Sequence, residues 1–218
     1  LARKALVLSP YCADAYNLLA EDTSSLEERM NLYQLGEEMG RRAIGDLFFK
    51  RNAGHFWGLV ETRPYMRSLQ GLAESSWESG LRQEAIAHCR ELLRLNPNDN
   101  QGIRYQLIQY LLAEGMDKEA EELLSRYEEG TCFMLYSEAL LAYRKKDNTR
   151  AAGALREALK SNAHVPPYLL GRKAIPVLLP DFYSPGSDEE AGIYADMAIE
   201  AWKETPDALH WMAGQVRS

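Results

Sequence analysis

"MRSLQGLAESSWESGLRQEAIAHCRELLRLNPNDN", residues 66–100, reads as two helices meeting at Gly80. In the first, Leu69, Leu72, Ala73 and Trp77 recur at helical spacing; in the second, Ala85, Cys89 and Leu92 do so before Asn96 and Pro97 stop the run. Small residues at Ala73 and Ala85 let the paired helices approach, and Trp77 is large enough to fill the groove between them.

The pattern returns downstream. Gly115 follows Gly80 by 35 residues and Ala120 follows Ala85 by 35, within "GIRYQLIQYLLAEGMDKEAEELLSRYE". A third unit, "CFMLYSEALLAYRKKDNTRAAGALREALKSNAHVP", puts Ala139, Ala151, Leu155 and Ala158 in corresponding roles at a shortened spacing. On a frame of about 34 residues beginning at Met66, the packing residues and Pro97 fall where tetratricopeptide repeats place theirs, so the three units resemble that repeat.

The amino-terminal region is a poorer copy. "LARKALVLSPYCADAYNLLAE" looks like the second helix of one unit, ending at Pro10, and the first helix of the next, from Ala13 to about Glu21. A long helix follows from about Ser25 to Gly45, with Ser24 or Ser25 as its cap. The segment "DLFFKRNAGHFWGLVETRPYM" then leaves the period, with a short helix expected near Asp46 to Lys50 and with Phe48, Phe49, Phe56 and Trp57 packing on adjacent helices. After the third unit, "HVPPYLLGRKAIPVLLPDFYSPGSDEE" carries five of the nine prolines. It reads as a packed junction: Pro166 and Pro167 end the third unit, Tyr168, Leu169 and Leu170 turn inward, and Ile175, Val177, Leu178 and Leu179 supply apolar area. Beyond it, Ser187 caps a helix reinforced by Glu190, with Ala191, Tyr194, Ala198 and Trp202 on one stripe, and a last helix from about Asp207 closes the array.

The expected fold is therefore all-α: a single domain over 1–218 built as a right-handed, tetratricopeptide-like helix-pair solenoid. It comprises a divergent helical region over 1–45, an irregular aromatic connection over 46–65, three units over 66–165, and a proline-rich junction with capping helices over 166–218.

The tail, read together with the last repeat, carries a second resemblance. Asn162, His164, Val165, Pro166, Tyr168, Leu169, Leu170 and Lys173, followed by Gly186, Ser187, Glu190, Ala191, Tyr194, Ala201, Trp202, Ala208 and Leu209, resemble the carboxy-terminal region of the suppressor-of-tumorigenicity-seven family. The likeness runs from about Pro64 to Met212. That family is associated with animal membrane proteins of no established biochemical activity, so the resemblance implies architecture. The set "FFKRNAGHFWGLVETRPYMR" followed by "NPNDNQGIRY" looks more like uncharacterised soluble bacterial repeat proteins with the same tail.

Bulk properties narrow the function classes. The formal charge of −7 works against a phosphate-backbone partner, making nucleic acid a minor reading. No apolar run reaches the roughly 18 residues of a membrane span, and "LARKALVLSPY" lacks the pattern of a signal peptide, so a soluble, cytoplasmic protein without membrane insertion is expected. Cys12, Cys89 and Cys132 are scattered, as are His55, His88, His164 and His210; they suggest buried thiols in a reducing compartment, with no metal site and no cofactor.

A non-catalytic protein-binding scaffold follows, with first-helix side chains lining a concave surface for a peptide or partner protein. Arg67, Gln70, Glu74, Gln101, Arg104, Tyr105 and Gln109 are the candidate groove residues, and charge reversal at Arg104 is expected to weaken binding without unfolding the chain. Arg63, Tyr168, Arg172 and Lys173 form a secondary candidate patch. The lysine and asparagine clamp of chaperone-tail binders is replaced by Gln70 and Glu74. Two alternatives compete: an enzyme or enzyme-associated subunit using His55, Glu61, Arg63 and Tyr65 in the 54–67 region, or an adaptor binding nucleic acid through Arg41, Arg42, Lys50 and Arg51 beside Phe48 and Phe49. A homo-oligomer is compatible with the sequence but not indicated by it.

Overall fold

The computed structural model describes residues 1–180 and 182–216. Among them are thirteen α-helices, two 3-10 turns and no strand, and consecutive helices pack in pairs. The all-α, helix-pair architecture expected from the repeats is what the described residues show. The chain divides into two compact units, Leu1–Leu107 and Ile108–Ser218, and the division falls within a helix rather than in a linker.

The first unit contains α1 (Ala2–Leu8), α2 (Ala13–Glu21), α3 (Leu26–Ile44), α4 (Asp46–Asn52), 3-10 turns at Phe56–Gly58 and Val60–Thr62, α5 (Arg63–Glu78), α6 (Arg82–Leu95) and the start of α7 (Ile103–Ala113). Ser25 caps α3 by accepting from the Glu28 amide at 3.3 Å. Acids in the first turn of α3 and Arg41 and Arg42 in its last complement the helix dipole. The pairs α2–α3 and α5–α6 pack against themselves, and α5 also packs on α2 and α3, so α5 touches both its own second helix and the pair before it. The aromatic connection is structural in part: Phe49 and Phe56 are buried with ring centroids 4.7 Å apart, and Tyr65 meets Phe49 edge-on at 4.9 Å. Phe48 and Trp57 are only half-buried.

The second unit holds the rest of α7, then α8 (Asp117–Arg126), α9 (Cys132–Arg144), α10 (Asn148–Ser161), α11 (Val165–Leu169), α12 (Asp188–Glu204) and α13 (Ala208–Gln215). Ala191, Tyr194, Ala198 and Trp202 of α12 are all buried, and Trp202 Nε1 donates to Tyr194 Oη at 3.0 Å. The Ser187 cap forms as expected, accepting from the Glu190 amide.

Two expectations for the proline-rich stretch change. Pro166 and Pro167 do not end the third unit; α10 stops at Ser161, and the prolines sit in the first turn of α11, where a missing N–H costs no helical bond. Nor is the stretch packed throughout. Val165, Tyr168 and Leu169 are buried, but Val177 is 99% exposed and Leu178 and Phe182 are each 88% exposed. Val177, Leu178 and Phe182 project from a base pinned by polar contacts while Ile175 stays half-buried, and Pro176 and Pro180 interrupt any helical run that could fold the projecting side chains inward.

Candidate partner-binding surface

Six of the seven groove candidates lie in the first unit, on α5 and around the start of α7. Arg67 projects from α5 and pairs with Asp14 of α2 at 2.5 Å, both half-exposed. One turn on, Gln70 Nε2 donates to Glu74 Oε1 at 3.2 Å, while Gln70 Oε1 accepts from Gln101 Nε2 at 2.9 Å. The side-chain oxygen Oε1 of Gln101 is buried and has no hydrogen-bond partner. Glu74 keeps solvent-exposed side-chain surface, although crowding pushes its carboxyl pKa upward, burial being the largest cause; Gln70 and Arg29 oppose the shift. The row Arg67, Gln70, Glu74, Gln101 is thus a continuous polar strip whose members already hydrogen-bond to one another or to their own unit.

Arg104 is placed differently from the expectation. Its Nη1 donates to Asp99 Oδ2 at 2.8 Å, its Nη2 donates to Tyr105 Oη at 2.7 Å, and its guanidinium stacks over the Tyr105 ring at 4.2 Å. Asp99 is 3% exposed, and its two oxygens also accept the amides of Ile103 and Arg104 at 2.8 and 2.9 Å. Asp99 therefore caps α7, and Arg104 neutralises a buried carboxylate. Charge reversal at Arg104 would disturb the fold, which corrects the expectation that it would act on binding alone. Gln109 is corrected as well: it is 1% exposed in the second unit, with Nε2 donating to Ser137 Oγ at 2.9 Å, so burial removes it from any surface.

The secondary patch resolves into separate roles. Arg63 Nε donates to the Trp57 carbonyl at 3.0 Å and its guanidinium lies 5.3 Å from the Trp57 ring, so it secures the aromatic connection of the first unit. In the second unit, Tyr168 Oη donates to Asp188 Oδ2 at 2.9 Å, and Lys173 Nζ reaches the same carboxylate at 2.5 Å while lying over the Tyr168 ring. The Lys173 ammonium holds the Asp188 carboxyl below its usual range, and Asp188 raises Lys173 in turn. These contacts clamp one foot of the projecting stretch. Its other foot is held where Glu190 Oε2, itself buried, accepts from Asn162 Nδ2 at 2.9 Å and from the Gly186 amide at 2.7 Å. Arg172 is exposed beside the first foot.

The alternatives find little geometry. Of the 54–67 residues, Tyr65 is buried in the ring cluster, its hydroxyl pKa raised chiefly by burial, and Arg63 is committed to a carbonyl. Arg41 and Arg42 pair with Glu37 and Glu38 one turn earlier, and Phe49 is buried rather than offered for base stacking. Among the described residues no group of three or more His, Cys, Asp or Glu could hold a metal ion, and no helix is long and apolar enough to cross a membrane. Sequence reasoning missed Asp99, and it missed Asn17 and Ser68, whose buried side chains bond at 2.6 Å between α2 and α5. The Asp99 signal was present: a short acid four residues before Ile103, just after a helix-stopping proline.

Comparison with known proteins matches a family model described as "Tetratricopeptide repeat" to residues 76–129. The "Protein ST7 homolog" of Caenorhabditis elegans is 27% identical over 264 residues, covering 97% of this chain and 46% of that protein. The "Suppressor of tumorigenicity 7 protein-like" of Rattus norvegicus is 27% identical over 240 residues, covering 96% of this chain and 42% of its own, and the Danio rerio protein of that name is 26% identical over 230 residues. The chain spans less than half the length of these relatives. All three are animal proteins, so the bacterial likeness expected from the sequence draws no support from them. The chain carries a tetratricopeptide-repeat region and shares broad homology, along nearly its full length, with suppressor-of-tumorigenicity-7 proteins.

Proposed function

We propose that the chain is a non-catalytic interaction scaffold that holds a peptide or partner protein along the polar strip of α5 and the α7 entry, in a cytoplasmic setting that keeps its three free thiols reduced. The observation that carries this reading is the Gln70–Gln101 hydrogen bond, which ties α5 to the turn leading into α7, the first helix of the next repeat, with the exposed side chain of Glu74 one turn further along α5. Glu74 gives the strip an exposed acceptor, so it suits a segment that presents backbone amides or a lysine. Arg67 and Tyr105 border it; Arg104 contributes by holding Tyr105 rather than by direct contact. Affinity capture with the wild-type chain and with a Gln70→Ala/Glu74→Lys variant of unchanged melting temperature tests the site. A partner retained by the wild type and lost from the variant is the expected result; equal capture by both places the binding surface elsewhere.

A further inference from the structure

Three helices of the first unit carry basic residues in their last turns: Arg41 and Arg42 in α3, Lys50 and Arg51 in α4, and Arg94 in α6. A cation in that position complements the helix dipole wherever a helix ends. The dipole does not require that the three turns share one depression. Arg41, Lys50 and Arg94 meet around a cavity of about 330 Å³, whose other lining residues are Asp46, Phe49 and Ala53. Glu37 and Glu91, the acids that pair with the two arginines, stand one turn back on the same helices and do not line it.

Several donors at this cavity have no acceptor among the described residues. Arg41 Nε stands 3.6 Å from Glu37, too far for a hydrogen bond, and the guanidinium lies over the Phe49 ring at 4.5 Å. Stacking occupies the face of the guanidinium and leaves its in-plane Nη donors available. Arg94 commits Nε and Nη2 to Glu91, at 2.6 and 2.7 Å, and keeps Nη1. Lys50 Nζ is unpaired among the described residues, although Asp46 lies one turn earlier on α4. All three cations are exposed, so an anion from solvent reaches them without opening the fold.

We propose that this cavity binds the phosphoryl group of a phosphorylated peptide side chain. Guanidinium edges match phosphate oxygens in pairs, and the lysine ammonium adds a point charge. The surroundings restrict the ligand to one isolated phosphoryl group. Glu37, Glu38 and Glu91 stand beside the arginines of α3 and α6, and the chain carries a formal charge of −7. A strand with a charge on every nucleotide, or an anionic membrane surface, meets repulsion there that a single dianion escapes. The site lies on α3, α4 and α6 and is independent of the α5 strip.

The test follows the guanidinium Nε–H resonances of Arg41 and Arg94 by NMR while the chain is titrated with N-acetyl-phosphoserine amide. Saturable movement of both signals is the expected result, with binding roughly tenfold weaker in Lys50→Gln, the loss of one charge-assisted contact. Lys50 has no partner to lose, and an otherwise unchanged amide spectrum checks that the variant keeps its fold. The unphosphorylated serine amide should leave both signals in place. Equal affinity of wild type and Lys50→Gln overturns the proposal, as does movement that sodium chloride reproduces at equal ionic strength. Tighter binding of inorganic phosphate than of the phosphoserine amide makes a free anion the ligand and overturns the peptide assignment. Tighter binding of a single-stranded oligonucleotide overturns it in favour of nucleic acid.

Discussion

Arg104 stacks on its neighbour Tyr105 while its guanidinium neutralises Asp99, a carboxylate that is 3% exposed and caps the helix Arg104 belongs to. The residue that the sequence offered as a ligand contact is thereby a positioning element. Breaking a buried pair leaves an uncompensated charge, a loss of about 3–5 kcal/mol. Arg104→Glu should therefore lower unfolding free energy by that order in urea titration. Arg104→Lys, which keeps the charge but loses the fork and the stacking, should cost less, about 1–2 kcal/mol. A change below about 0.5 kcal/mol for Arg104→Glu would return Arg104 to the surface.

The three regular hairpins close in the same way. Leu81, Met116 and Asp147 amides donate to the Ser76, Leu111 and Ala142 carbonyls at 2.8, 2.8 and 3.1 Å, and the preceding residue has positive φ each time. Glycine fills that slot at Gly80 and Gly115, but the third hairpin uses Lys146 at φ 61°. A non-glycine residue in the left-handed region costs about 1 kcal/mol. Lys146→Gly should raise the melting temperature by about 2–4 °C, whereas Gly115→Lys should lower it.

Close helix approach makes Gly71 intolerant of growth. A methyl group there would lie 2.3 Å from Cζ of Tyr33, so α3 and α5 could not keep their spacing unless the ring moved. Gly71→Ala gains helix propensity yet should destabilise by about 1–3 kcal/mol through overpacking. The double change Gly71→Ala/Tyr33→Leu should recover part of that loss, and full additivity in a double-mutant cycle would show that the two do not touch.

Burial predicts opposite outcomes for the two apolar groups of the tail. Trp202 is fully buried and donates to Tyr194, so Trp202→Ala should cost about 3–5 kcal/mol by cavity formation. Val177, Leu178 and Phe182 are nearly fully exposed, and changing any one to Ser should alter stability by less than about 0.5 kcal/mol. Equilibrium denaturation of the four variants separates a projecting stretch from a packed one.

The thiols provide a pH-linked check. Burial raises the pKa of Cys89 and Cys132, so the reactive thiolate is scarce at both, while Cys12 retains accessible surface. A thiol reagent at pH 8 should titrate one group in the native chain and three in denaturant. Three fast-reacting groups under native conditions would mean that α6 and α9 open readily.

Local pattern alone determined the all-α class, the helix pairs, the Ser187 cap and the Ala191–Tyr194–Ala198–Trp202 stripe, because each depends on spacing along one chain segment, while the choice of Ser25 over Ser24 as the α3 cap came from the structure. Tertiary structure decided what the same residue types do at each place. Arg104 and Gln109 look like surface polar residues in sequence, and only the approach of Asp99 and Ser137 shows them to be partnered and, for Gln109, buried. The apolar run at 175–179 carries no periodicity, so its hydrophobicity suggested a core, while its backbone has no helix or strand by which to turn Val177 and Leu178 inward. Local pattern fixes which face of an element is apolar; whether a neighbour covers that face is a long-range fact, and it separates Leu95 in α6 from Leu8 in α1.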